Sequence, residues 1–149
     1  MFCEGEKFII RTAEGNDAPL YTCPNQMGFA GEKGAYTLRT ILGDEPKQPF
    51  EGRAEDSVNF HYVHITYLPE GTVVGEHTHE TNEQFYLVIQ GEAEITLCGQ
   101  TFPAKPYTIA VIRPGGSHGI KNVGKGELIY ICCELEPARK YPYETEAAK

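Results

Sequence analysis

The feature that most constrains the fold is the spacing of its breaks. From Asn59 onward, short runs of β-branched and aromatic residues alternate with Gly, Pro, Asn or Asp, and nothing sustains the 3.6-residue apolar period of a helix. Strands are expected at residues 59–68, 73–79, 84–90, 93–98, 107–112, 119–123 and 127–134. The intervening Pro69-Glu70-Gly71, Thr81-Asn82, Gly91-Glu92, Gly99-Gln100, Arg113-Pro114-Gly115-Gly116 and Gly124-Lys125-Gly126 have the chemistry of tight turns. Closely spaced strands of this kind fit an all-β sandwich or barrel rather than a parallel α/β sheet.

A chain of 149 residues with 40% hydrophobic content can bury one core, so a single domain is expected. Its segments differ in character. Residues 58–136 carry the barrel pattern. Residues 1–57 are richer in Gly, Pro and charge, with weaker strands at 7–11, 19–23 and 35–42, and should pack as an extension on the barrel edge or on a second subunit. An open sheet edge needs covering, which makes a homodimer the expected assembly, burying the apolar residues between Ala35 and Leu42. The polar tail 137–149 has no apolar face to dock.

Charge excludes some partners. There are 21 acidic and 13 basic residues, a formal −8, and the basic residues are scattered rather than grouped, which argues against nucleic acid. Glu4 and Glu6 stand where an export signal would place basic and then apolar residues, and runs such as Leu87 to Ile89 are far too short to span a bilayer. A cytoplasmic protein with no membrane partner is the expectation. The five cysteines, Cys3, Cys23, Cys98, Cys132 and Cys133, are odd in number and irregularly spaced, as expected for reduced, mostly buried thiols. Cys132 and Cys133 are adjacent, so on a strand they point to opposite faces.

Chemistry concentrates in GTVVGEHTHETNEQFYLVIQG. His77 and His79 are two residues apart, and strand geometry sends both imidazoles to one face. Such nitrogens suit borderline divalent metals, with amide or hydroxyl oxygens completing the set. This stretch resembles the first motif of the cupin superfamily: Gly71 six residues before His77, the His-x-His pair, an oxygen ligand, and Gly91 closing the next strand. IRPGGSHGIKN resembles the second cupin motif, with His118 followed four residues later by Asn122. Arg113 stands where the motif usually has proline, and its earlier glycine is absent from PAKPYTIAVIRP.

The resemblance covers about half the chain, from Val58 to Glu134, and implies a small single-domain cupin with a double-stranded β-helix, or jelly-roll, barrel. It also implies one divalent transition metal (Fe, Mn, Ni or Zn) on His77, His79, His118 and an oxygen. Counting three residues on from His79 makes that oxygen Glu83, whereas counting back from Gly91 makes it Gln84. Gln84 is preferred, because the closing glycine fixes the strand register while the Thr81-Asn82 turn can absorb an extra residue. A His, His, Gln, His set is similar to that of cupins that linearise unsaturated uronates in pectin breakdown.

Three imidazoles and a neutral amide leave a divalent ion its full charge, which favours a small anionic sugar acid or keto-acid. Four protein ligands on a six-coordinate ion leave room for a chelating substrate, or for water and dioxygen. Lewis-acid isomerase or lyase chemistry, an iron-dependent dioxygenase, and a non-catalytic ligand-binding or sensor module all remain open. Candidates for proton transfer are Glu83, Tyr86 and Tyr107, and Arg113 is a candidate for meeting an anionic substrate. His61 and His64 fall on opposite strand faces and are expected to be structural or at the surface.

Overall fold

The computed structural model describes the backbone of residues 2–5, 8–11, 20–24, 35–43 and 60–135, and the side chains of Arg39, Ile41 and residues 60–135. The strands are β1 (Phe2–Gly5), β2 (Phe8–Arg11), β3 (Leu20–Pro24), β4 (Ala35–Gly43), β5 (Phe60–Leu68), β6 (Val73–Thr78), β7 (Glu83–Gln90), β8 (Ala93–Leu97), β9 (Gln100–Ala104), β10 (Ile109–Ile112), β11 (Ser117–Asn122) and β12 (Leu128–Leu135). They form a six-stranded sheet in the order β10-β7-β12-β5-β4-β3, a four-stranded sheet in the order β6-β11-β8-β9, and the hairpin β1-β2, every pairing antiparallel. Two antiparallel layers with no helix among the described residues make an all-β jelly-roll barrel, the architecture that the sequence resemblance implies. No described helix is long and apolar enough to cross a membrane.

Alternation builds the core. On β7, Gln84, Tyr86 and Val88 are buried while Glu83, Phe85 and Leu87 are less so; on β12, Leu128, Tyr130, Cys132 and Glu134 share the inner face. With Leu68, Val74, Ile95 and Ile120 from the neighbouring strands, the apolar members of these rows fill the space between the sheets. Cys133 is buried as well, on the opposite side of β12 from Cys132, so the adjacent thiols do part to two faces.

Two glycines are required by their surroundings. Gly91 turns β7 into β8 at φ +88°, and a Cβ there would meet the Glu127 carbonyl oxygen and Leu128 Cα, each at 3.1 Å. Gly119 lies in β11 where its pairing with β6 shifts register between His118 and Ile120; a Cβ would come within 2.8 Å of the Val74 carbonyl oxygen. Asn122 supplies the other constraint. Its Nδ2 donates to the Leu68 carbonyl at 2.9 Å and the Gly126 carbonyl at 2.8 Å, and its Oδ1 accepts from the Gly124 amide at 3.1 Å. The asparagine that follows His118 in the motif therefore ties the β11–β12 turn to the end of β5.

Before residue 58 the strands at 7–11, 19–23 and 35–42 correspond to β2, β3 and β4, and β4 pairs with β5, extending the six-stranded sheet along its edge. β1 has no counterpart in the sequence reading, and neither does β9. The tail at 137–149 lies outside the described residues. The strand expected at 107–112 begins only at Ile109, because Tyr107 has φ 71° and closes a turn whose amide bonds to the Val88 carbonyl.

Candidate metal centre

His77 and His118 sit directly opposite each other on β6 and β11. His79 follows the end of β6, and the amide of Gly115 donates to its carbonyl at 2.9 Å, so the Pro114-Gly115 turn holds the chain just beyond the strand. The rings gather as a result: centroids are 4.4 Å apart for His77 and His118, and 5.2 Å for His79 with each of the others. One nitrogen from each lies within 4.8 Å of the other two, an arrangement that could hold a metal ion.

Hydrogen bonding decides which nitrogens are offered. His77 Nδ1 donates to the Gly75 carbonyl at 2.8 Å and His118 Nδ1 to the Gly116 carbonyl at 3.0 Å, while His79 Nδ1 faces Glu134 Oε1 at 3.9 Å. With the Nδ1 atoms of His77 and His118 so engaged, their Nε2 atoms carry the available lone pairs. Burial, joined by the nearby His77 and His79 and opposed by the Gly116 bond, pushes the His118 pKa down to about 4. Burial likewise lowers that of His77. Neutral imidazoles are what a metal requires.

Gln84, only 2% exposed, faces the same interior. Two residues along β7 the Tyr86 ring lies 5.8 Å from His118, and directly across on β12 is Glu134, which lies beside His79. The Gln84 Nε2 donates to the Tyr62 hydroxyl at 2.8 Å and to Cys132 Sγ at 3.0 Å. Both of its amide hydrogens thus have acceptors, while Gln84 Oε1 and His118 Nε2 are buried with no hydrogen-bond partner. Two buried lone-pair donors without a protein partner cost free energy unless something electrophilic meets them, so the residues present fit a divalent cation. Glu83 belongs to the other face of β7.

The remaining sequence candidates separate. Arg113 is exposed at the end of β10, whose last residue, Ile112, pairs with Gln84, so it stands at the rim of the site. Tyr86 is buried in the core, edge-on to His118 and Tyr130. Tyr107 is 85% exposed beside Val88, four residues and about 13 Å of strand from Gln84, and so is not brought to the histidines. His64 is buried and stacked on Tyr62 at 4.1 Å, and His61 reaches Glu134 Oε1 at 3.4 Å.

Glu134 is the residue that the sequence reading passed over. It is 2% exposed and also accepts from Asn82 Nδ2. Burial alone would raise its pKa, but hydrogen bonds from His61, Tyr62 and Asn82, with His79 nearby, hold the carboxyl at about 2. The available signal was parity: Glu134 shares the inward register of Leu128, Tyr130 and Cys132.

This fold and site can be set beside known proteins. The family model described as Cupin domain matches residues 63–134. That segment is a cupin domain. The chain is similar to the oxalate-binding protein of Thermotoga maritima, 33% identical over 64 residues that make up 43% of this chain and 53% of the relative. It spans about half the length of the curated relatives it matches. Among solved structures, a predicted oxalate decarboxylase of Thermotoga maritima superposes with a TM-score of 0.68 at 21% identity, covering 85% of this chain and 99% of the other. KdgF from a Halomonas species superposes with a TM-score of 0.56 at 16% identity, over 73% and 83% of the two chains. At those identities the cupin and its neighbours share a fold.

Proposed function

We propose that this cupin holds one divalent transition metal on His77, His79, His118 and Gln84 Oε1, and uses it to bind and activate a small chelating acid such as a dicarboxylate, keto-acid or sugar acid. The reading rests on one observation: three converging imidazoles with two buried, unpartnered donor atoms, Gln84 Oε1 and His118 Nε2. A divalent ion in that position supplies a Lewis acid that polarises a carbonyl or carboxylate.

The chain's own residues account for the remaining requirements. Carbonyls of Gly75 and Gly116 fix two imidazoles before any ligand arrives, so little orientation is lost on binding. Tyr86, Tyr130 and the surrounding core exclude water from the inner side, which strengthens electrostatic attraction to an anion. Arg113, exposed at the rim, is positioned to meet a second carboxylate from the solvent side. The oxalate-binding relative supports a small dicarboxylate as the ligand class.

A non-catalytic binding module is the second reading, favoured by where the proton-transfer candidates lie. Glu83 faces away, Tyr107 is remote, and Glu134 is held too acidic to be an efficient base at neutral pH. The test is calorimetry with oxalate on protein loaded in turn with manganese, nickel, zinc and iron, alongside an absorbance assay for loss of an unsaturated uronate. Metal-dependent oxalate binding that disappears in His118→Ala is the expected result. Equal oxalate binding with and without metal would refute the proposal, and binding without any turnover across these metals would select the binding module.

A further inference from the structure

Gln84 and Glu134 are direct cross-strand partners on β7 and β12, and both residues are 2% exposed on the inner face. A neutral amide therefore stands among the proposed ligands, with a carboxylate immediately behind it. The two are connected. Gln84 Nε2 donates to the Tyr62 hydroxyl at 2.8 Å, and the Glu134 carboxylate acts on that buried phenol, helping to hold its pKa up. Glu134 Oε1 also lies 3.9 Å from His79 Nδ1. The carboxylate thus lies behind two of the four proposed ligand positions, paired across the strands with Gln84 and 3.9 Å from His79 Nδ1.

Burying a carboxylate is costly, and among the described residues the partners of Glu134, namely His61, His79, Asn82 and Tyr62, include no permanent cation. A cation a short distance away, on the far side of His79 and Gln84, would offset it. The backing also has a local consequence. His77 and His118 lean on neutral carbonyls, whereas His79 Nδ1 faces a carboxylate at 3.9 Å, which orients its opposite nitrogen toward the other two rings. Donation by both Gln84 amide hydrogens shifts electron density toward Oε1, the atom left without a partner.

We infer that Glu134 is the positioning residue of this centre, supplying from behind the negative charge that Gln84 lacks and fixing, through Tyr62 and His79, which atoms of Gln84 and His79 face the ion. This rests on the metal reading above. It revises the charge expected at the site: three imidazoles, a neutral amide and a divalent ion are accompanied by one buried carboxylate, so the pocket is less cationic than its ligands alone imply.

The experiment is a chelator-competition measurement of Co(II) affinity, with the visible spectrum of bound Co(II) as a second readout, on the native protein, Glu134→Gln, Tyr62→Phe and the pair Gln84→Glu with and without Glu134→Gln. Glu134→Gln should lower affinity by roughly 10- to 100-fold and shift the spectrum. Tyr62→Phe, which keeps the ring and removes only the hydroxyl link, should lower affinity by a smaller factor and serves where Glu134→Gln does not fold. A carboxylate introduced at position 84 should improve affinity more in the Glu134→Gln background than in the native one, where it would face a like charge. Native protein that binds no Co(II) would refute the metal reading itself. Native protein that binds, with both Glu134→Gln and Tyr62→Phe unchanged in affinity and spectrum, or with no difference in the Gln84→Glu gain, would overturn the role of Glu134 alone.

Discussion

Replacing Asn122 with alanine separates what the second motif does for the fold from what it does for the metal. Its side chain is 2% exposed and makes three hydrogen bonds, to the Leu68 and Gly126 carbonyls and from the Gly124 amide. Leu68 is fully buried, so loss of that bond leaves its carbonyl short of a donor in the core, at a cost of about 1–3 kcal/mol. The two bonds within the Gly124–Gly126 turn lie closer to solvent and should contribute about 0.5–1 kcal/mol each. Together these give about 3 kcal/mol, or a fall in Tm of roughly 6–12 °C for a chain of this size. Chemical denaturation and calorimetry of the metal-free protein measure the loss, and metal stoichiometry at 20 °C should stay at the native value. Asn122→Asp keeps the acceptor for Gly124 but cannot donate to Leu68, so it should recover little. A loss below 1 kcal/mol, or a fall in metal content at full foldedness, would refute this division of labour.

His77→Ala, His79→Ala and His118→Ala should each cut the metal retained after gel filtration sharply, and Gln84→Ala should lower it more than Glu83→Ala; the reverse order for the last pair would transfer the oxygen ligand to Glu83. The metal-free protein should lose stability as pH falls from about 6.5 toward 4. His118 has a folded pKa of about 4 against an unfolded value near 6.5, so the unfolded chain takes up the proton first, and a flat stability profile across that window would contradict the assignment. Gly119→Ala should destabilise by about 1–3 kcal/mol, since its Cβ would press on the Val74 and Gly75 backbone. Unchanged denaturation midpoints would show that β11 can shift to make room.

Much of the architecture could be read from residues 58–134, because alternation and glycine punctuation agree there at every strand except one. β9 escaped for a physical reason. Gln100 to Phe102 and Pro103 are all exposed, so an edge strand wet on both faces carries no alternation, and Pro103 reads as a break although an edge position tolerates it. The three histidines were legible as a set because parity places His77 and His79 together and the motif spacing brings in His118. The choice of Gln84 over Glu83 as the inward residue followed from the register set at Gly91, and the burial of β7 agrees with it. Glu134 was hidden by its position at the end of a strand followed by charged sequence, where an acidic residue reads as solvated. Its partners come from β5 and the β6–β7 turn, 52 to 73 residues away, and no local pattern connects them.

The proposed donor atoms come from both layers of the barrel: His77 and His118 from the four-stranded sheet, Gln84 from the six-stranded one. An ion seated between them would be anchored to each layer, so any breathing motion that parts the sheets at that end must first release it. Amide hydrogen exchange in β6, β7 and β11 should then slow in step with free metal concentration, while fraying of the edge strand β9, which β8 separates from β11, continues at its own rate.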